Sequence, residues 1–230
     1  MNTIETRFLN ILNHIKQTAE GCGRSHKDIV LVAVSKKQSL KIIKKGIEAG
    51  IKNLGENYIQ EAVDKIERLG KKSVSWHFIG HLQSNKAKYA VKYFDLIHGV
   101  DKLKLAREID KQANKINKIQ KILLQINISE EESKSGANAE DAISLAYEIG
   151  KLHNLSLQGL MGMPPFYNNP EKARPYFRAM TDIKTAINNE HIPGVAMEHL
   201  SMGMSGDFAT AIEEGSTMVR IGTAIFGARP

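Results

Sequence analysis

The 230-residue chain is 42% hydrophobic, enough for the core of one large domain or two small ones, and we expect one domain over residues 1–230. No apolar run approaches the ~20 residues that cross a bilayer, the N-terminus lacks a signal-peptide layout, and the lone Cys22 excludes an intramolecular disulfide, so we expect a cytoplasmic protein with no membrane partner. The formal net charge of +7 comes from scattered lysines without a basic run or zinc-finger spacing, which favours a solvated surface over a nucleic-acid interface.

The elements predicted along the chain begin with an amphipathic helix over residues 3–20, where Phe8, Leu12 and Ile15 recur every three or four positions. Strand-like apolar runs follow, most of them separated by segments of helical periodicity. These runs lie at residues 29–35, 53–57, 74–80, 95–100, 121–128, 156–163, 197–202 and 217–225. Eight such runs favour an α/β fold of the (β/α)8 TIM-barrel type, with an extra N-terminal helix.

A doubly wound open sheet shows the same alternation of strands and helices and is the competing architecture. Its G-x-G-x-x-G fingerprint is missing after the first strand, where the turn reads Ser35-Lys36-Lys37-Gln38-Ser39. The glycine and hydroxyl residues instead follow the last two strands, where barrels commonly build phosphate sites. Their position favours the barrel.

Lys36 closes the first strand-like run and is the first candidate site residue. Because aliphatic residues precede it, its stem would emerge from the dry barrel interior. Desolvation would then lower the pKa of Lys36 and raise the fraction of free amine that can form an imine with an aldehyde. An ordinary surface lysine is the alternative. If the strand continues, Lys37 points to the opposite face.

Two C-terminal loops are candidates for binding a phosphate. The loop over residues 200–207 offers backbone N–H groups and the hydroxyls of Ser201 and Ser205. We expect a helix that begins near Asp207 to direct its N-terminal dipole toward the anion, and Gly222-Thr223 to supply a second contact. Flexible loops without a ligand are the alternative. An amine and two phosphate loops at strand ends are what pyridoxal 5'-phosphate needs.

Arg220 lies within the apolar run Met218-Val219-Arg220-Ile221, where an unpaired guanidinium is costly to bury. We therefore expect it to have a partner. Beside the pyridine nitrogen of the cofactor, Arg220 would keep that nitrogen unprotonated and weaken the ring as an electron sink.

No metal site is predicted. His77 and His81 are four residues apart but flank a strand and a turn, where that spacing does not align two ligands, so we expect His77 in the core and His81 in a loop. Lys134 is expected either at the barrel mouth, where it would serve cofactor exchange, or as a plain loop lysine. Four methionines are expected to fill the barrel rather than bind copper: Met161, Met163, Met202 and Met204.

Seven segments, in chain order, match the motifs of a known family. They are Ala33-Val34-Ser35-Lys36 and the runs over residues 55–61, 76–86, 133–136, 160–163, 200–205 and 220–227. Together they resemble the YggS/PROSC family of pyridoxal-phosphate homeostasis proteins over nearly the whole chain. The resemblance implies a fold-type-III barrel like the N-terminal domain of alanine racemase, with pyridoxal 5'-phosphate (PLP) bound to Lys36 as an internal aldimine.

The resemblance also implies roles for further residues. The pyridine contact falls to Arg220 and a ring-side contact to Asn57. The phosphate contacts fall to Ser201, Met204, Ser205, Gly222 and Thr223. The implied function is storage, supply or regulation of intracellular PLP without established turnover and without a catalytic residue. Transient contact with PLP-requiring apo-enzymes belongs to that function.

A PLP-dependent amino-acid racemase of the alanine racemase type is the alternative function, because it shares the lysine and the phosphate loops. Such racemases use a second, C-terminal domain that supplies a catalytic tyrosine across a dimer interface. We expect no such domain within these 230 residues. An arginine at the pyridine nitrogen would also disfavour the electron sink that most PLP enzymes exploit. We therefore expect a monomeric carrier rather than an enzyme.

Overall fold

Eight parallel strands close into a barrel in chain order in the computed structural model, which describes residues 3–129 and 135–227. The strands are β1 (Val30–Val34), β2 (Asn53–Glu56), β3 (Ser75–Phe78), β4 (Leu96–Val100), β5 (Gln120–Ile126), β6 (Leu155–Gly162), β7 (Val195–Ser201) and β8 (Met218–Ile221). The α-helices are α1 (Ile4–Gly21), α2 (Leu40–Glu48), α3 (Ile59–Leu69), α4 (Ala87–Tyr93), α5 (Leu103–Asn114), α6 (Ala142–Gly150), α7 (Arg174–Asn189), α8 (Phe208–Glu213) and α9 (Thr223–Phe226). Short 3-10 helices lie at His26–Asp28, Ser84–Lys86 and Pro170–Ala173.

The pairing of the first and last strands decides between the two predicted architectures. β1 pairs in parallel with β8 from Val30 opposite Met218 to Ala33 opposite Ile221. An open sheet would leave two strands with an unpaired edge, whereas each of these eight strands pairs with a neighbour on both sides. The barrel prediction is therefore confirmed, and the doubly wound sheet is wrong.

The last predicted strand is too long. The run over 217–225 was expected to be extended throughout, but β8 ends at Ile221 and α9 begins at Thr223. The amides of Ile225 and Phe226 both donate to the carbonyl oxygen of Gly222, at 2.9 Å each, which closes a helical turn. A short apolar run is compatible with a buried strand or a buried helix, so the periodicity alone did not separate them.

The extra N-terminal helix is confirmed. Thr3 caps α1 by accepting a hydrogen bond from the amide of Thr6 at 3.1 Å. The helix packs on α8 and α9, where the rings of His14 and Phe208 meet edge to face at 4.8 Å. Helix α1 therefore supports the two short helices that follow the last two strands. None of the helices within the described ranges is long and apolar enough to cross a bilayer.

The barrel interior has an apolar lower layer and a polar upper layer. Leu96, Leu123, Met161 and Met218 form a buried cluster inside the lower part of the barrel. Side chains two residues apart on a strand share a face, so His98 follows Leu96 into the interior and Arg220 follows Met218. The larger apolar core lies between the strands and the surrounding helices. The polar layer consequently sits directly beneath the carboxyl ends of the strands.

Candidate functional site

A cavity of about 290 Å³ opens at the carboxyl ends of the barrel strands. Its walls come from the ends of β1, β2, β3 and β8 and from the loops that follow β6, β7 and β8. The lining residues are Val34, Lys36, Asn57, Ile79, Met163, Phe166, Tyr167, Met204, Ser205, Gly206, Asp207, Arg220, Gly222 and Thr223. In barrels of this kind the carboxyl face carries the functional site.

Most of the residues predicted from the sequence meet in this cavity. The residues that line it are Lys36, Asn57, Met204, Ser205, Arg220, Gly222 and Thr223. Ser201 does not line it, because its side chain is fully buried beneath the cavity floor. The prediction of Ser201 as a phosphate contact is corrected on that ground.

Lys36 lies in the turn that directly follows β1 and lines the cavity. Val34 and Lys36 line the cavity, whereas Ser35 between them is fully buried and donates its hydroxyl to Glu56 Oε1 at 2.6 Å. The strand ends at Val34, so the expectation that Lys37 continues the alternation does not apply. Lys37 instead adopts a left-handed conformation with φ of 60°.

A buried ion cluster lies behind this turn. Lys65 Nζ donates to the carbonyl oxygen of Ser35 at 2.7 Å, to Glu56 Oε1 at 2.7 Å and to Glu61 Oε1 at 2.6 Å. Glu61 Oε1 in turn accepts from the amide of Lys37 at 2.5 Å. Burial raises the pKa of Glu56, while the Lys65 ammonium opposes that rise. The cluster thus fixes both residues that flank Lys36.

Lys65 is not among the residues predicted from the sequence, although a signal for it is present. Lys65 sits three residues after Ala62 and next to Ile66, on the apolar face of α3, where a lysine needs a buried partner. Glu61 is four residues before it, the spacing at which a carboxylate and an ammonium meet on a helix.

Arg220 has the partner that was expected, but the partner is a set of neutral oxygens. Arg220 is 5% exposed, and Nη1 donates to both the carbonyl oxygen and the hydroxyl of Ser201, at 2.6 Å each. Nη2 donates to the carbonyl oxygen of Gly162 at 3.0 Å. Burial lowers the pKa of Arg220 to about 10, and the nearby Asp207 opposes that fall. The side chain therefore stays charged at neutral pH.

Two histidines extend this contact through the barrel interior. Ser201 Oγ lies 2.9 Å from His98 Nδ1, His98 Nε2 lies 3.0 Å from His77 Nδ1, and His77 Nε2 lies 3.3 Å from the hydroxyl of Ser75. Burial lowers the pKa of His77 to about 4 and that of His98 well below its usual value. Both rings are consequently neutral at pH 7.

Arg220 sets the direction of the hydrogen bonds in this chain. A guanidinium only donates, so the Ser201 oxygen accepts from it and the Ser201 proton goes to His98 Nδ1. We assign the protons of His98 and His77 to Nε2 on this basis, and each then donates to the next member. His77 is in the core as predicted. His81 is in a loop as predicted, with Nδ1 3.2 Å from the hydroxyl of Ser135.

The loop after β7 brings main-chain groups to the cavity. Gly203 has φ of 90°, and a Cβ at this position would lie 2.6 Å from the Cβ of Ala211. Only glycine allows α8 to pack this closely against the loop. The helix begins at Phe208, near the predicted position, but it has six residues and therefore only a small dipole. The amide of Met204 donates to Asp207 Oδ1 at 2.6 Å.

The second loop residues, Gly222 and Thr223, lie at the start of α9. The first hydrogen bond of this turn comes from the amide of Ile225, so the amides of Gly222 and Thr223 before it are available to an anion in the cavity. The carbonyl end of the same helix is held by Arg7, whose Nε donates to Ile225 O at 2.7 Å.

The donor set of the cavity fits PLP. Lys36 offers a primary amine, Arg220 a cation, and the two loops offer amides and hydroxyls for a phosphate dianion. Asn57 Oδ1 is buried and has no hydrogen-bond partner among the described residues, so this amide has capacity for a ligand. Across the ranges 3–129 and 135–227, no group of three His, Cys, Asp or Glu side chains could hold a metal.

Only one of the four methionines fills the barrel as predicted. Met161 is buried in the barrel interior, whereas Met202 is buried in the larger core between the strands and the helices. Met163 and Met204 line the cavity and are partly exposed, so their prediction as filler is wrong. Phe166, which is not among the predicted residues, also lines the cavity and is 84% exposed. Lys134 lies outside the described residues.

Comparison with known proteins places this geometry in context. The family profile "Alanine racemase, N-terminal domain" matches residues 11–230. A pyridoxal phosphate homeostasis protein of Aquifex aeolicus (strain VF5) is 42% identical over 229 residues, which span 100% of this chain and 99% of that protein. A pyridoxal phosphate homeostasis protein of Escherichia coli (strain K12) is 42% identical over 236 residues, with 100% and 98% covered.

A solved structure agrees with these sequence matches. PipY of Synechococcus elongatus PCC7942, determined with PLP bound, superposes with a TM-score of 0.81 at 31% sequence identity. The superposition covers 93% of this chain and 100% of that one. The fold, the family profile and the full-length relatives therefore agree on the family of this chain.

Proposed function

The chain belongs to the alanine racemase N-terminal domain family and, within it, to the pyridoxal phosphate homeostasis proteins, and we propose that it binds PLP for the storage, supply or regulation of that cofactor in the cell. The observation that carries the proposal is the meeting of Lys36, Arg220 and two main-chain loops in one cavity. PLP supplies an aldehyde that an amine can capture and an aromatic ring that can accept electrons.

The residues of this chain divide the binding work. Lys36 Nζ is the amine that anchors the aldehyde. The main-chain amides near Ser205 and at Gly222 and Thr223 hold the phosphate, with the hydroxyls of Ser205 and Thr223 as further donors. Arg220, which is charged at neutral pH and fixed by its hydrogen bonds to Ser201 and Gly162, would donate to the pyridine nitrogen. Asn57, directly after β2, would contact the ring.

We propose a non-catalytic role, because the full-length relatives carry the name of a homeostasis protein. Arg220 supports this role, since a charged guanidinium does not give up the proton that would make the pyridine ring a strong electron sink. The profile match over residues 11–230 supports a single domain. We further propose that the protein acts as a cytoplasmic monomer and passes PLP to apo-enzymes in transient contacts, for which the exposed Phe166 at the cavity rim offers an apolar surface.

Borohydride reduction followed by mass spectrometry tests the anchor. Reduction of the purified, PLP-loaded protein should leave a pyridoxyl group on the peptide that contains Lys36. Lys36→Ala should abolish this adduct, whereas the adjacent exposed Lys37→Ala should keep it. A stable adduct on another lysine, or a folded protein that takes up no PLP, would overturn the proposal.

A racemisation assay tests the absence of turnover. Loaded protein incubated with L-alanine or L-serine should produce no D-enantiomer above the level of Lys36→Ala, as measured by chiral chromatography. Turnover that depends on Lys36 would leave PLP binding intact and replace the carrier by a racemase.

A further inference from the structure

Asp207 places a carboxylate inside the loop that we propose for the phosphate. Asp207 and Met204 both line the cavity, and Asp207 Oδ1 accepts a hydrogen bond from the amide of Met204 at 2.6 Å. Main-chain amides of this loop are the donors that a phosphate needs. One of them is therefore already bound to an anion of the protein itself.

The usual structural duties of such an aspartate are met by other groups. Asp207 is the N-cap residue of α8, yet its side chain makes no capping hydrogen bond to the helix. The turn is closed by the main chain, since the amides of Asp207 and Phe208 donate to the carbonyl oxygen of Met204 at 3.1 and 2.9 Å. The bond from Met204 to the carboxylate is additional to these contacts.

The groups around the Asp207 carboxylate are also those that would bind a phosphate. Burial raises the pKa of Asp207, and the hydrogen bond from Met204 and the charge of Arg220 oppose that rise. A phosphate in the loop would take the same amide and the same positive field. It would have to displace Asp207 Oδ1 from that amide or bind beside a like charge, and both reduce its affinity.

We propose that Asp207 is an internal competitor of the cofactor phosphate, which weakens its binding and speeds its release. This inference rests on the proposed function, because it takes the phosphate to lie in the loop after β7. A protein that supplies PLP needs such an element, since an anchor on Lys36 together with two phosphate loops would otherwise favour retention.

Asp207→Asn separates charge from shape. The amide keeps an oxygen for the Met204 N–H group and removes the negative charge. We expect Asp207→Asn to bind PLP on the order of tenfold more tightly by calorimetry, with a correspondingly slower release, because one close like-charge interaction is lost. Asp207→Ala, which also frees the amide, should bind at least as tightly as Asp207→Asn. Glu198→Gln, the same charge change at an exposed position of β7, should match the wild type.

Inorganic phosphate alone provides a readout that is independent of Lys36. In a titration followed by the amide resonance of Met204, the resonance should move at lower phosphate concentration in Asp207→Asn than in the wild type. Equal or weaker binding of phosphate and PLP by Asp207→Asn would overturn the inference and leave the proposed function standing. Tighter phosphate binding by Asp207→Asn with no uptake of PLP by any variant would overturn the proposed function, and with it the inference that rests on it.

Discussion

Arg220 depends on residues that never touch the cavity. Its partner Ser201 is held by His98, and His98 is held by His77. These positions could not be assigned from the sequence, because which strands face one another across the interior depends on barrel register and not on spacing along the chain. Ser201 shows this most clearly, since its hydroxyl and its small neighbours were read as a phosphate site although it points inward.

His98→Asn should break the chain beneath Arg220. The shorter side chain cannot reach both Ser201 and His77, so at least one buried group loses its partner. We expect the free energy of unfolding in urea to fall by about 2–3 kcal/mol, and the absorbance maximum of bound PLP to shift as Arg220 loses its fixed orientation. His153→Asn, at an exposed position, should change neither. Unchanged stability and spectrum in His98→Asn would contradict a supporting role.

The two buried histidines should make the protein sensitive to mild acid. Their pKa values are lower in the folded than in the unfolded protein, so the unfolded state binds more protons below its pKa of about 6.5. The contribution of the histidines to the free energy of unfolding is therefore fully present above that pH. It is lost as the pH falls toward about 4, the pKa of His77 in the folded protein. We expect the titration of His77 alone to lower the free energy of unfolding by roughly 2 kcal/mol between pH 7 and pH 5.

Urea unfolding at the two pH values measures this loss. Carboxylates also titrate in the range, so the informative quantity is the difference between the wild type and His77→Gln. The variant should lose less stability than the wild type over the same interval. An equal loss of stability in both proteins would show that His77 has the same pKa in the folded and the unfolded protein, which would contradict its burial as a neutral ring.

Lys65 is the residue on which the turn around Lys36 depends. Lys65→Met should leave Glu56 buried without its cation and free the Ser35 carbonyl, which costs about 3–5 kcal/mol of unfolding free energy. Adding Glu56→Gln should restore part of that loss, because the uncompensated charge is removed. Arg68→Met, at an exposed position of the same helix, should have little effect. A double variant no more stable than the single one would show that charge is not the cause.

At the scale of elements, the pattern of apolar residues predicted the order and approximate bounds of the strands. It failed at the C-terminal end, where Ala224, Ile225 and Phe226 form a helix rather than the end of a strand. Tertiary contact decides such short segments, and here the contact is with α1. The apolar periodicity of α1 could be recognised in the sequence, but its packing partners α8 and α9 could not.

Arg7 links α1 to the second phosphate loop. Its Nε bonds the Ile225 carbonyl at the end of α9, and Gly222 and Thr223 lie at the start of that helix. Arg7→Met should lower the unfolding free energy by about 1–2 kcal/mol and weaken PLP binding measured by calorimetry. Lys16→Met, exposed on the same helix, serves as the control. Unaltered PLP affinity in a destabilised Arg7→Met would show that α9 keeps its position without α1.

At the scale of the whole molecule, the net charge of +7 can serve to attract an anionic ligand and does not require a nucleic-acid partner. A positive protein attracts a small anion, and the attraction is screened by salt. The barrel was predicted from the count of the apolar runs and from the glycine and hydroxyl residues that follow the last two of them, because alternation of strands and helices alone also fits an open sheet. The closing pair could not be read from either strand alone.

The association rate of PLP should therefore fall as the ionic strength rises. Stopped-flow absorbance at low and high NaCl concentration measures it, with pyridoxal, which lacks the phosphate, as the matched ligand. PLP should slow several-fold and pyridoxal much less, because only the phosphate is steered by the protein field. An identical salt response of the two ligands would contradict steering.

The pairing of β1 with β8 has a consequence for the synthesis and folding of the protein. Lys36 follows β1 and Arg220 lies on β8, so the cavity is built from the earliest and the latest strands of the barrel. On the ribosome, the reactive lysine is made long before the groups that complete its surroundings. A nascent chain exposes that amine without a pocket, and such long-range pairing is the slow part of folding. Capture of the aldehyde in the cavity would thus mark a finished barrel, and chains stalled before β8 would carry the amine but not the affinity.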